Sequence, residues 1–336
     1  MPKITAKDIK GVVSMPPTPC KDNAAGWDVA NSVDLEKSVT MVNLLLQSGA
    51  SAFAFCGTTG ENAAMLFDEK RDFIATAVKA VNKRVPVFAG ATALGTKEVI
   101  RQMRLLKDVG AEGAFLGLPL WQTPTMENSV RYFQDISEAV PDMGIMVYSN
   151  SMYFKSDFTT EFWEGLAKKA PTVVTNKIAY GLDHIADDVR VSGHQINFVP
   201  GGLSVLEAEK RAPGNFNSCW STGYALEPLV AMIDAFNKKD MARAQEIAAD
   251  IRTVPSFTPA SAATSSLPGW RGAMERGFAH YNAQVHKWEW KNSGYLDIGP
   301  MRKPYDDLPD DWKKSAEIHA KAWMEMRKKY VKVPAK

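Results

Sequence analysis

A lysine at the end of an apolar run is the residue best suited to covalent chemistry in this chain. Thr172-Val173-Val174-Thr175-Asn176-Lys177-Ile178 reads as a short buried strand whose end carries the amine of Lys177. A second run upstream, Gly144-Ile145-Met146-Val147-Tyr148-Ser149-Asn150, carries the phenol of Tyr148 near its end. Burial disfavours the charged form of an amine and lowers its pKa. A neutral amine can attack a ketone carbon and form a Schiff base, and a phenol beside it could pass protons. Local sequence alone favours a plainer reading. Lys177 would then snorkel to solvent, and Tyr148 would be a core tyrosine with a satisfied hydroxyl.

Other residues alter that balance by falling at equivalent places. After an earlier strand-like run comes Gly57-Thr58-Thr59-Gly60-Glu61-Asn62. Gly and Thr are common turn residues. Yet glycines also let a backbone approach a ligand closely, and N–H groups at a following helix start favour a carboxylate. Trp121 and Trp220 likewise follow strand-like runs. They read as rim packing or as an apolar wall for a flat ring. Taken one at a time, the plain readings hold. An amine, a phenol, two threonines between glycines and two indoles, all at strand ends, point together to a site.

The elements that must position these residues are eight short β-rich runs, near residues 11–15, 52–56, 85–89, 113–117, 145–148, 173–177, 196–199 and 216–220. Most intervening segments carry helical periodicity, as in residues 35–47, 68–81, 96–109 and 126–140. The segment over 180–191 is short, acidic and the least clear. Eight βα units with near-continuous apolar strands predict an α/β fold with a parallel sheet covered by helices. Closure into a (β/α)8 barrel of the TIM type fits residues 1–235, with residues 236–336 as a C-terminal helical extension. Active residues of such barrels gather where strands end and βα loops begin. An open doubly wound sheet is the alternative, weakened because no glycine-rich phosphate fingerprint follows the first strand. Helical patterns over 228–236, 240–252, 271–287 and 316–331, with a Pro/Ser/Ala-rich connector over 254–268, make up the C-terminal part.

Composition narrows the function classes. The chain has 336 residues, 45% hydrophobic and 23% charged, with a net charge of +2, which lends no support to a nucleic-acid or membrane-surface role. Its three cysteines form no CxxC pair, and Cys56 and Cys219 read as small core residues. The five histidines form no metal-like cluster with carboxylates in sequence, so no metal is expected. The N-terminal residues lack the apolar stretch of a signal peptide, and no run approaches the ~20 residues of a membrane span. A cytoplasmic enzyme is the expectation.

These residues carry a resemblance. Pro-Thr-Pro after the first strand, Gly57-Thr58-Thr59-Gly60-Glu61, Tyr148 and Lys177 resemble the class I pyruvate aldolases typified by dihydrodipicolinate synthase and N-acetylneuraminate lyase. Met15-Pro16-Pro17-Thr18-Pro19, Trp121, Tyr148-Ser149-Asn150, Trp220-Ser221, Tyr281-Asn282 and Gly299-Pro300-Met301-Arg302-Lys303-Pro304-Tyr305 are similar to one branch of them. That branch, the hydratase-aldolases of trans-o-hydroxybenzylidenepyruvate and carboxybenzalpyruvate, serves naphthalene and phenanthrene breakdown. The resemblance implies a Schiff base on Lys177, proton transfer by Tyr148, and a pyruvate carboxylate held at Gly57, Thr58 and Thr59. It implies that Trp121 and Trp220 flank the arene, and that Asn150 and Asn282 position water or the developing hydroxyl. It implies no cofactor, since lysine supplies the electron sink, and a homotetramer, with a trimer as the alternative. The chain departs from that branch at Pro200-Gly201-Gly202-Leu203-Ser204, in the residues around Lys177, and by one extra proline after the first strand. Two rival expectations remain: a class I lyase acting on a sugar acid or semialdehyde, and a non-catalytic barrel that binds a keto acid.

Overall fold

A computed structural model describes residues 2–179, 181–262 and 277–331. Eight strands form one parallel sheet in the order β7-β6-β5-β4-β3-β2-β1-β8. They are β1 (Gly11–Ser14), β2 (Ala50–Phe55), β3 (Val87–Gly90), β4 (Gly113–Leu116), β5 (Gly144–Ser149), β6 (Val173–Ile178), β7 (Asn197–Val199) and β8 (Ser218–Ser221). Just beyond β7 the ends meet: Gly201 bridges in parallel to Trp220, which donates its backbone N–H to Pro200 O at 2.9 Å. The sheet is thereby a barrel rather than an open doubly wound sheet. All eight expected strands are present, shifted by a residue or two at their ends, where pairing rather than composition decides.

Between the strands run α1 (Leu35–Gln47), α2 (Phe67–Val81), α3 (Thr96–Asp108), α4 (Met126–Ala139), α5 (Ser151–Phe154), α6 (Thr160–Lys169), α7 (Ile185–Ser192) and α8 (Ser204–Arg211). Caps set several starts: Asp34 accepts from Lys37 N at α1, and Thr125 from Asn128 N at α4. Aromatic side chains fill the interior, with Phe53, Phe55 and Phe88 fully buried. A full set of covering helices and this core agree with a barrel whose strands are apolar on both faces.

After β8 come α9 (Glu227–Asn237), α10 (Met241–Arg252), α11 (Phe278–Asn292) and α12 (Asp310–Arg327). The last helix begins at Asp310, six residues before the periodicity suggested. Pro309 precedes it, and Asp310 and Asp311 fill the first turn, where carboxylates complement the helix dipole. The helix expected over 271–287 is seen from Phe278; residues 271–276, like 263–268 of the connector, lie outside the described residues. The extension docks on the barrel through named polar contacts. Trp323 donates its indole N–H to Tyr224 O and Ala225 O, and Arg327 pairs with Glu227 at 2.6 Å. Among the described residues no helix is long and apolar enough to cross a membrane.

Candidate active site

The register of two strands makes the central pair. Along β5 and β6, Ile145 lies opposite Val173, but Met146 lies opposite Thr175, so β6 carries one extra residue at this point. Beyond the irregularity Tyr148 stands opposite Lys177. A bulge re-aims the side chains that follow it; with uninterrupted pairing Tyr148 would face Asn176 instead. Lys177 is only 6% exposed, and its Nζ lies 4.2 Å from the Tyr148 ring centroid and 4.0 Å from that of Trp220. Burial in this apolar setting pulls the amine from 10.5 down to about 7. The snorkelling alternative therefore fails: the amine ends inside the barrel, held between two aromatic faces.

Tyr148 is fixed on every side. Its ring stacks on Phe115 at a centroid distance of 4.9 Å and meets Phe154 edge-on at 5.3 Å. Its hydroxyl accepts from Asn150 Nδ2 at 2.9 Å and lies 3.3 Å from Thr58 Oγ1. Burial pushes the phenol above its ordinary pKa, against the opposing effect of these two hydrogen bonds. The proton therefore starts on the phenol. Asn150 has a second task, since it caps α5 by accepting from Tyr153 N at 3.3 Å.

The glycine-flanked turn is tight for steric reasons. A Cβ on Gly57 would come within 2.6 Å of Phe115, and one on Gly60 within 2.7 Å of the Cys56 backbone. The turn closes through Asn62 N to Gly57 O at 3.1 Å and Glu61 N to Thr58 O at 3.0 Å. Among the described residues the backbone N–H groups of Thr58 and Thr59 have no protein acceptor, so both are available to an anion. The expected helix start after the turn is instead a single 3-10 turn, Asn62–Ala64, so the free amides rather than a helix dipole make the site suited to a carboxylate.

Tyr148, Thr58 and Gly57 line a cavity of about 200 Å³ whose other walls include Phe115, Leu120 and Phe154. Helix α11 closes it with Ala279 and Ala283, so the C-terminal extension is part of its wall. Sequence reasoning gave no role to Phe115, Tyr153 or these α11 residues, because nothing in local pattern distinguishes a cavity phenylalanine from a core one. Trp220 is brought to Lys177, its indole N–H anchored on Ile178 O at 2.6 Å. The strand 7 loop seats it: a Cβ on Gly201 would lie 2.8 Å from the Trp220 ring. Trp121 is not brought in; it is 86% exposed, and its neighbour Leu120 faces the cavity instead. Asn282 is buried and reaches the site through a neighbour, donating to Tyr153 Oη at 2.9 Å. A larger cavity of about 360 Å³ lies on the helix side of β6, lined by Asn176, Trp163 and Asp188 without Tyr148. Lys177 lines neither cavity and adjoins the smaller one through Tyr148, whose ring centroid is 4.2 Å from its Nζ. His286 and His319 do gather on one carboxylate, Glu289, although among the described residues no His/Cys/Asp/Glu group could hold a metal.

Residues 21–262 match the sequence profile of the dihydrodipicolinate synthetase family. The chain belongs to that family. It is 35% identical over 334 residues to trans-O-hydroxybenzylidenepyruvate hydratase-aldolase of Pseudomonas aeruginosa, covering 98% of this chain and 96% of that one. It is 30% identical to trans-2'-carboxybenzalpyruvate hydratase-aldolase of Nocardioides sp. strain KP7, over 98% and 97% of the two chains. The solved structure of PhdJ bound to substrate intermediate superposes with a TM-score of 0.89 at 29% identity, covering 98% of this chain and 100% of that one.

Proposed function

We propose that this chain is a Schiff-base-forming hydratase-aldolase that converts a trans-benzylidenepyruvate-type keto acid to an aromatic aldehyde and pyruvate. The observation that carries the reading is the buried amine of Lys177, lowered to about 7 and set opposite Tyr148. The names of the two hydratase-aldolase relatives support the substrate class.

The steps follow from the chemistry of these groups. The neutral Lys177 amine adds to the keto carbon, and Tyr148 gives its proton to the departing hydroxyl as the iminium forms. The carboxylate sits at the Thr58 and Thr59 amides and the Thr58 hydroxyl. The iminium withdraws electrons from the conjugated alkene, so water adds at the benzylic carbon and the iminium becomes an enamine. Tyr148, now a phenolate steadied by Asn150 and Thr58, takes the proton shed by that water and passes it to the carbon next to the one bearing nitrogen, restoring the iminium. Tyr148, again a phenolate, then takes the proton of the new benzylic hydroxyl. The carbon–carbon bond breaks and its electron pair flows into the iminium, giving an enamine and releasing the aldehyde. Protonation of the enamine carbon and hydrolysis return pyruvate and the amine. Lysine supplies the electron sink throughout.

Phe115, Leu120 and Phe154 give an arene a flat apolar wall, while Asn62, His280 and Gln284 add polar groups to the same lining. The volume of about 200 Å³ is below the ~300–1,000 Å³ usual for drug-sized ligands and suits a single ring. The flanking role for Trp220 is kept, while the arene wall opposite is assigned to Phe154 and Leu120 rather than Trp121. The decisive experiment is mass spectrometry after incubation with pyruvate and borohydride, beside turnover of benzylidenepyruvate. A pyruvate adduct on the parent, none on Lys177→Ala, and aldehyde release support the reading. No adduct leaves a keto-acid-binding barrel; an adduct without turnover of benzylidenepyruvates favours the sugar-acid lyase.

A further inference from the structure

Behind the Gly57–Gly60 turn lies a buried ionic cluster that the reaction steps above leave unused. Glu61 ends the turn with its side chain fully buried. Its Oε2 accepts from Lys287 Nζ at 2.6 Å and from the Arg302 guanidinium, and its Oε1 accepts from Arg302 N at 2.9 Å. Arg302 continues outward, donating Nε to Ser32 Oγ at 2.6 Å and Nη1 to Thr18 O at 3.3 Å. Thr18 in turn donates Oγ1 to Gly60 O at 2.8 Å, so the arginine grips the turn from both sides. Lys287 belongs to α11 and Arg302 to the stretch that follows it; both come from the extension, more than two hundred residues away in sequence.

The turn requires such a grip. Cys56 and Glu61, at its two ends, both hold left-handed backbone conformations, with φ of 56° and 57°. Non-glycine residues there are strained and persist only where surrounding contacts over-determine them. The cluster is also balanced in charge. Lys287 and Arg302 face Glu61, and Glu69, also buried, joins through Ser32 Oγ, which accepts from Arg302 and donates to Glu69 Oε1 at 2.6 Å. Loss of one cation therefore leaves a net negative charge behind amides suited to an anion. A charge buried this deeply is little screened.

We propose that Glu61, Lys287 and Arg302 are positioning residues through which the C-terminal extension sets the carboxylate-binding turn and its electrostatic potential. The proposal rests on the keto-acid reading above. Removing one cation weakens recognition of the carboxylate without altering the Lys177 amine.

The test compares Lys287→Met with the parent in borohydride trapping at Lys177, read by peptide mass spectrometry, with pyruvate and with acetone, a ketone lacking a carboxylate. The expected result is a rise of roughly ten- to a hundredfold in the pyruvate concentration giving half-maximal trapping, the scale of removing one buried unit charge near the anion at an effective dielectric of about 20. Acetone trapping stays at the parental level. Glu61 keeps Arg302 in this variant, so its charge is not left unpaired; if Lys287→Met does not fold, Lys287→Gln, which also removes the charge but keeps a donor for Glu61, carries the same comparison. Unaltered pyruvate dependence, or equal losses with pyruvate and acetone, overturns the proposal and leaves the cluster a purely structural brace. No pyruvate adduct on the parent itself removes the keto-acid reading, and the proposal with it.

Discussion

Lys177 should behave as an amine that is half neutral near pH 7, and Trp220 should be one of the groups that keep it so. A fall from 10.5 to about 7 corresponds to roughly 5 kcal/mol of disfavoured protonation. At pH 7 about half of the amine is then neutral, against roughly one part in 3,000 for a solvated lysine. Two faces supply the dry surroundings, Tyr148 at 4.2 Å and Trp220 at 4.0 Å. Trp220→Ala opens one of them. If that restores about half of the lost hydration, the inflection rises to roughly 8.5–9 and the neutral fraction at pH 7 falls about thirtyfold. The assay is the initial rate of pyruvate trapping at Lys177 from pH 5.5 to 10, with cyanoborohydride as reductant. The parent should rise through about pH 7 and level off. The variant should lag most at neutral pH, its deficit closing as the pH rises. A parental inflection near 10, or identical inflections in the two proteins, would refute the assignment of the shift to burial.

Removing the Tyr148 hydroxyl with Tyr148→Phe keeps the stack on Phe115 but removes the proton carrier. Turnover of a benzylidenepyruvate should fall about 10²–10⁴-fold, while an adduct with pyruvate still forms on long incubation; undiminished aldehyde release would remove Tyr148 from the mechanism. Gly117→Ala places a Cβ 1.8 Å from Phe154 and must displace that ring from the cavity wall. KM for the aromatic substrate should rise by about tenfold or more while pyruvate trapping changes little, since overpacking acts on the arene wall; equal losses in both would place Phe154 outside the arene site. Lys177→Met should be inactive yet more stable at neutral pH, because it no longer buries an amine. The folded pKa of Lys177 lies below the unfolded one, so the unfolded chain holds more protons between about pH 7 and 10.5 and parental stability rises across that window. The advantage of the methionine variant should therefore shrink by about 3 kcal/mol at most between pH 7 and 9.5 in urea titrations; a constant or growing difference would contradict the buried amine.

The turn, the phenol and the amine were legible as candidates that come together because each falls at a strand end, and a parallel barrel collects strand ends at one face. The two tryptophans show how far that rule reaches. Both stand near strand ends, yet Trp220 lies within β8 with its indole N–H bonded to Ile178 O, whereas Trp121 sits in the loop beyond β4 and faces solvent. Loop conformation is set by packing against neighbours, which local pattern does not encode. The strand 7 loop was noted as a departure from the resembling enzymes without a reason for its glycines. Gly201 must lack a Cβ where the barrel closes against Trp220.

By itself, then, the sequence determined the barrel, its eight strands and the residue types at their ends, because hydrophobic period and strand length are local properties. Only the tertiary structure decided which side chains meet. One extra residue in β6 sets Lys177 opposite Tyr148 rather than leaving Asn176 there. Burial then takes the amine's pKa down to about 7. The grip of Lys287 and Arg302 on Glu61 joins residues separated by more than two hundred positions. Bulges, desolvation and long-range ion pairs depend on what surrounds a residue in space. A linear pattern carries the groups but not their surroundings, and in this protein the surroundings set the charge state of the Lys177 amine.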